Sequence, residues 1–409
     1  MIIEQRIKDF EKLGFGMFVH FGIYSVFGRG EWAKHHNKME WEEYLTSLER
    51  FSPVEDWAEQ LVSTAENAGC RYITLTTRHH DGFSLFDTCG LNDYDAPHVC
   101  GRDLVREFVD ACRRHGIIPF FYHTLLDWHE ESYEADFKTY LKYLRDSVEI
   151  LCTNYGEIGG LWFDGKWNKP EEDWEEDALY SMIRSHQPQA MIINNTGLSH
   201  RGELGHIELD SVTFERGRPK PINLEDSSKY IASEMCETLC QHWGYAHNDF
   251  NYQSTAELIR SFAICRRYRS NFLLNVGPKG DGTLRTIDRG ILEVIGAWHA
   301  INEEALHLPA PTGIEVEDNP DHFLLREGDD YYLFVCHLRA RGSSHVVLHG
   351  TEEIEPHSTF ALDRPVRDAR WLDTGEPVIF EQKDGRITVE TVANRYGENY
   401  VVRVAKLTV

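Results

Sequence analysis

The sequence predicts an α/β fold: a (β/α)8-like, TIM-type barrel followed by a C-terminal antiparallel β-sandwich. Three observations carry this. Short apolar, β-rich runs alternate with amphipathic helical stretches through roughly residue 305. About eight such runs occur, and no Gly-rich dinucleotide fingerprint follows the first, which disfavours an open doubly wound sheet. After HLPAPTG (307–313) the rhythm changes to short alternating strands with turn residues between them. The expected domains are a catalytic barrel over 1–308 and a β-sandwich over 309–409.

The barrel strands are expected at FGMFVHF (15–21), RYITLTT (71–77), IIPFFYHT (117–124), GGLWFD (159–164), AMIINN (190–195), SVTFE (211–215), YIASEM (230–235) and FLLNVG (272–277). Near-continuous apolar runs of this kind indicate parallel strands covered on both faces. Helices between them carry boundary signals. Pro53 suits the first turn of a helix over 54–68 that ends at Gly69, Gly116 closes 103–115, and Gly156 closes 134–154. Ser254 and Glu257 form a capping box ahead of ELIRSFAICRRYR. In the C-terminal part, HFLLR, DYYLFVCHL, SHVVLHG, RDARWLD and YVVRVAKL read as strands.

The formal charge of -25 argues against a nucleic-acid partner, which needs clustered Lys and Arg to neutralise phosphates. No apolar run is long enough to span a membrane, and the N-terminus has no apolar signal core. Nine scattered cysteines without CxxC spacing read as thiols in a reducing compartment, so a cytoplasmic location is expected. Cys236 and Cys240 lie four apart, but nothing near them completes a zinc set.

Reactive groups of a (β/α) barrel gather at strand C-termini and in the loops that follow. His20 ends the first run, Arg78, His79, His80 and Asp81 follow the second, and Tyr122, His123 and Asp127 belong to the third. Asp164 ends the fourth, Asn194 and Asn195 the fifth, and Glu215 the sixth. Their convergence on one rim is the signal. Asp164, delivered by an apolar strand beside a permissive Gly165, can attack an anomeric carbon; an Asp there can also merely cap a helix. A retaining glycosidase needs a second carboxyl roughly 5–5.5 Å away. Glu215 and Glu234 compete for that role, with Glu237 weaker, and Glu215 could instead pair with Arg216 or Arg218. Adjacent histidines such as His79 and His80 point in different directions and suit hydrogen bonding to a polyol better than shared chelation. Trp32 can close a pocket over a sugar or simply pack a loop.

At these residues the chain resembles the α-L-fucosidases of glycoside hydrolase family 29. The matching stretches are FGMFVHFGIYSV (15–26), GEWAKH (30–35), YITLTTRHHDGFSLF (72–86), FFYHTLLDWH (120–129), LWFDG (161–165), EMCETLCQHWGY (234–245) and NFLLNVGPKGDGTL (271–284). The resemblance implies that Asp164 is the nucleophile. It implies that His20, Glu31, Trp32, His79, His80, Tyr122 and Trp162 bind fucose, and that no metal or organic cofactor takes part. The partner is then a fucosylated glycan or a small fucoside. Two departures stand out. Asn194-Asn195-Thr196 replaces the family's Asn-Asp-Arg, which leaves Arg216 or Arg218 to supply a missing cation. The acid/base region also aligns poorly. Glu215, 51 residues after Asp164, fits the short spacing of compact bacterial members, whereas Glu234 lies in the better-matched stretch. The alternatives are a non-catalytic fucose-binding protein on this fold, which the lost Arg keeps open, and a metal-dependent barrel hydrolase using His20, His79 and His80.

Overall fold

The computed structural model describes residues 2–195, 205–222, 224, 228–338, 340–348, 350, 357–391 and 393–409. Eight parallel strands close into a barrel in sequence order: β1 (Phe15–Val19), β2 (Tyr72–Arg78), β3 (Ile118–Thr124), β4 (Gly160–Asp164), β5 (Met191–Asn194), β6 (Ser211–Glu215), β7 (Ala232–Thr238) and β8 (Asn271–Val276). β8 pairs back onto β1, with Phe15 opposite Phe272 and Val19 opposite Val276. Even the less apolar runs at 211–215 and 230–235 become strands, because closing the barrel supplies each with two neighbours.

Side-chain alternation decides what fills the barrel. Phe18, Tyr72, Phe120, Tyr122, Trp162, Met191, Ile193, Ala232, Cys236 and Leu273 form one buried cluster, so the interior is packed with side chains. Residues two apart share a face, which puts Trp162 and Asp164 on one side of β4, and Thr213 and Glu215 on one side of β6. Pro53 stands ahead of its helix, which runs Trp57–Asn67, so it does not fill the first turn expected over 54–68. Helix Leu104–His115 starts where Asp103 accepts the Arg106 N–H at 2.9 Å and ends at left-handed Gly116. The stretch 134–154 is broken: Asp136 leaves helical geometry and caps a fresh helix, Phe137–Asn154.

The chain divides into two compact units, residues 1–253 with 271–293, and 254–270 with 294–409. Helix Thr255–Arg267, opened by the Ser254–Glu257 capping box, thus belongs by its contacts to the second unit, although it falls between β7 and β8 in sequence. That unit contains two antiparallel sheets. The first is β9 (Ala310–Glu315), β10 (Phe323–Glu327), β11 (Asp330–Val335), β13 (Asp368–Trp371) and β16 (Arg403–Thr408); the second is β12 (Ser358–Ala361), β14 (Phe380–Lys383) and β15 (Arg386–Val389). Leu333, Trp371 and Leu407 from the first pack with Phe360, Ile387 and Val389 from the second in one core, which makes this a sandwich. SHVVLHG is not a strand. Its described residues form turns, with Val346 63% and Leu348 84% exposed, so its β-branched composition finds no sheet to join. Among the described residues no helix is long and apolar enough to cross a membrane.

Candidate active site

The C-terminal ends of the barrel strands surround a pocket with a cavity volume of about 80 Å3. Phe18, His20, Glu31, Trp32, His79, His80, Tyr122, Trp162, Asp164, Trp167, Asn195, Glu215 and Trp243 line it. All seven residues expected to bind sugar are therefore brought together, along with Asp164 and Glu215. Glu234 is not among them. Register explains why: Glu234 pairs with Thr213, one side-chain layer deeper than Glu215, which pairs with Cys236. Glu234 is 1% exposed and accepts the Trp162 indole N–H at 3.0 Å and the Tyr72 hydroxyl. Glu237 alternates to the other side of β7, where it accepts the Thr238 N–H at 2.8 Å.

Asp164 ends β4 because Gly165 follows at a φ of 106°, and a Cβ there would come within 2.9 Å of the Leu126 nitrogen. Three donors converge on its carboxylate. Tyr122 reaches Oδ2 at 3.2 Å, and the Trp167 indole and the Asn195 amide reach Oδ1 at 3.2 and 3.5 Å. Burial pushes the Asp164 carboxyl above its ordinary value, and these donors, with the Gly165 N–H, pull it back towards ionisation. The same Asn195 nitrogen donates to Glu215 Oε2 at 2.6 Å. One nitrogen bonded to both fixes the two carboxylate oxygens within about 6 Å of each other, the sum of the two bonds.

The histidines act as neutral groups with defined tautomers. Burial drives both His20 and His80 down to about 3. The Asn275 amide donates to the Trp243 carbonyl, so its oxygen accepts from His20 Nδ1 at 2.6 Å. The Thr124 hydroxyl donates to the Leu126 carbonyl, so it accepts from His80 Nδ1 at 2.8 Å. The His20 ring thus keeps a bare Nε2, able to accept from a sugar hydroxyl, whereas His80 Nε2 stands 3.6 Å from Asp164 Oδ2. Among the described residues no three His, Cys, Asp or Glu side chains gather in a metal-ligating group.

Glu31 is anchored by the Gly244 N–H at 2.7 Å, and burial raises its carboxyl. A Cβ at Gly244 would come within 2.8 Å of the Glu31 nitrogen, so this close approach requires glycine. Trp32 stacks on Trp167 with ring centroids 5.9 Å apart and meets His80 edge-on at 5.4 Å. Sequence patterning does not single out Trp167 or Trp243: one stands in the three-residue 3-10 turn Lys166–Asn168 and the other in a loop, where no periodicity marks a side chain as inward-facing. Trp243 nonetheless falls inside the matched stretch 234–245. Thr196 lies outside the described residues. Arg216, exposed and at a φ of 46°, donates to the Gln241 carbonyl at 2.6 Å and covers the Trp243 ring at 5.0 Å. It therefore borders the pocket through that ring, while Arg218 is exposed.

The sequence profile of the alpha-L-fucosidase family matches residues 4–304, the greater part of the chain. The chain belongs to the α-L-fucosidase family. This fucosidase is accordingly a glycoside hydrolase on a TIM-type barrel. It is 27% identical over 379 residues to the tissue alpha-L-fucosidase of Homo sapiens, spanning 81% of this chain and 76% of that one. An alpha-L-fucosidase of Dictyostelium discoideum is 27% identical over 353 residues, 75% of this chain and 72% of the relative. Among solved structures, alpha-L-fucosidase isoenzyme 1 from Paenibacillus thiaminolyticus superposes with a TM-score of 0.81 at 28% identity, covering 99% of the fucosidase and 98% of its counterpart.

Proposed function

We propose that the fucosidase removes terminal α-L-fucosyl groups from glycans or small fucosides with net retention, using Asp164 as nucleophile and Glu215 as acid/base. The observation that carries this is the Asn195 amide bonded to both carboxylates, which limits their facing oxygens to about 6 Å. Retaining glycosidases hold their carboxyls about 5–5.5 Å apart, whereas inverting enzymes leave roughly 6.5–9.5 Å for a water. Asp164 attacks C1, the bond from C1 to the leaving oxygen breaks, and Glu215 gives that oxygen its proton. Glu215 then takes a proton from water, whose oxygen attacks C1 and releases Asp164. The bare Nε2 of His20 and the Glu31 carboxylate accept from sugar hydroxyls. Tyr122 and Trp162 present ring faces to the apolar C6 methyl. Burial raises the Asp164 carboxyl, and the Trp167, Gly165, Tyr122 and Asn195 donors oppose that rise.

An aryl α-L-fucoside tests the reading. Release of the aryl alcohol, with α-fucose as the first-formed sugar by proton NMR, is expected. Binding of fucose without release would make the chain a lectin-like protein, and β-fucose as first product would reject retention. A reducing, cytoplasmic location is proposed on separate grounds: the thiols of Cys70, Cys112, Cys152 and Cys336 are buried outside any disulfide. Fractionation of the source cells, with fucosidase recovered outside the cytosol, would overturn it.

A further inference from the structure

Glu234 is an ionisable group set among apolar and aromatic side chains of the barrel interior. It is 1% exposed and its neighbours on β7, Ala232 and Cys236, belong to the buried cluster with Phe18, Tyr122 and Trp162. Burial pushes its carboxyl up to about 7 even though Tyr72 and Trp162 both donate to it. An apolar side chain of similar volume would pack here without that desolvation cost. The group therefore acts on something, and its two donors identify what. The Trp162 indole N–H points down to Glu234 Oε1 at 3.0 Å, while its ring lies in the sugar pocket, stacked on Tyr122 at 5.6 Å and 20° and met edge-on by Phe18 at 5.1 Å. Tyr122 in turn donates to Asp164 at 3.2 Å. The Tyr72 hydroxyl holds the other carboxylate oxygen, so Glu234 cannot swing away from the indole.

We propose that Glu234 is a positioning residue: a buried carboxylate under the pocket floor that fixes the Trp162 ring, and through it Tyr122, for sugar binding. An indole has one N–H, and anchoring it to a fixed acceptor leaves one ring orientation in which the π face meets the sugar and supports the Tyr122 ring. Without the acceptor the ring would be left with a buried, unsatisfied donor and would rotate or admit water. This inference rests on the fucosidase reading of the pocket, but it fails separately. The catalytic assignment is decided by turnover of Asp164 variants, and this one by equilibrium L-fucose affinity, which needs no turnover.

The test compares Glu234→Gln, Glu234→Leu and Trp162→Phe, alone and combined. Glu234→Leu is expected to weaken L-fucose binding by about 10-fold or more. It should raise KM equally for natural and activated aryl fucosides, because no proton transfer is lost. Glu234→Gln, which still offers an oxygen to the indole, should recover most of the affinity. Adding Trp162→Phe to Glu234→Leu should cost less than the sum of the two single losses, since both remove one linkage. Additive losses, unchanged affinity in a folded Glu234→Leu protein, or azide rescue at Glu234 would each overturn the proposal. If the leucine variant fails to fold, 19F NMR of 5-fluorotryptophan-labelled protein decides the matter with Glu234→Ala, which removes the acceptor without adding bulk. The resonance missing in Trp162→Phe should shift while the others hold their positions, and an unmoved resonance overturns the proposal.

Discussion

Asn195 donates its side-chain amide to the Glu215 carboxylate at 2.6 Å, and the Thr213 hydroxyl, donating to the Asn195 oxygen at 3.0 Å, fixes which way that amide faces. The same nitrogen is 3.5 Å from Asp164. Asn195→Ala should therefore disturb both carboxylates at once. Removing a donor to a charged group costs about 1.5–3 kcal/mol, so kcat/KM is expected to fall by about 10- to 100-fold. Losing a donor also raises a carboxyl's pKa, so the acid limb of the activity profile should move to higher pH. An unmoved profile would show that Asn195 does not tune the pair.

Asp164 carries the heaviest consequence. Asp164→Asn should leave a folded protein that binds fucose, and turnover should drop by about 10³-fold or more. The comparison to make is kcat against L-fucose affinity in the same preparation. Near-normal turnover would remove Asp164 from the nucleophile role.

Glu215 is tested through the leaving group. A poor leaving group needs protonation and a good one departs without it, so Glu215→Ala should damage natural fucosides far more than activated aryl fucosides. Azide should rescue the aryl reaction and yield an α-fucosyl azide, because it replaces the water that attacks the fucosyl-enzyme. Glu234→Ala should give no such rescue, because the carboxylate lies a layer beneath the pocket between Tyr72 and Trp162. Rescue at Glu234 instead would exchange the two assignments.

Acid stability follows from the histidines. Burial takes His20, His80 and His123 to about 3, below the unfolded value near 6.5. The unfolded chain then binds these protons first as pH falls, so the stability they contribute is full above about 6.5 and is lost progressively towards 3. Chemical unfolding at pH 7 and pH 5 should show lower stability at the lower pH. Among the described residues His123 hydrogen-bonds Ser147 and the Thr124 carbonyl, away from the pocket lining, so His123→Asn should flatten part of that slope without touching the pocket. A slope unchanged in the variant would mean that other groups govern it.

Much of this molecule is determined by sequence alone. The eight barrel strands are legible because a parallel sheet covered on both faces demands near-continuous apolar runs, and FGMFV, YITLT and GLWFD supply them. The strand-end rule then assembles His20, His79, His80, Tyr122 and Asp164 before any coordinates are known. The hairpin of β14 and β15 was also written in the chain, as Asp384-Gly385 with both residues at positive φ, but its short polar strands gave no periodicity to notice. Only the tertiary structure separates Glu215 from Glu234. Both stand on apolar strands and either could be an acid; the difference is a two-residue offset in the β6–β7 register, which lifts one into the pocket and buries the other beneath Trp162. Register arises from pairing between strands distant in sequence, so no local pattern encodes it. The same holds for Trp167 and Trp243, which follow strand ends and whose place at the sugar pocket is set by how the closed barrel gathers its connections at one end.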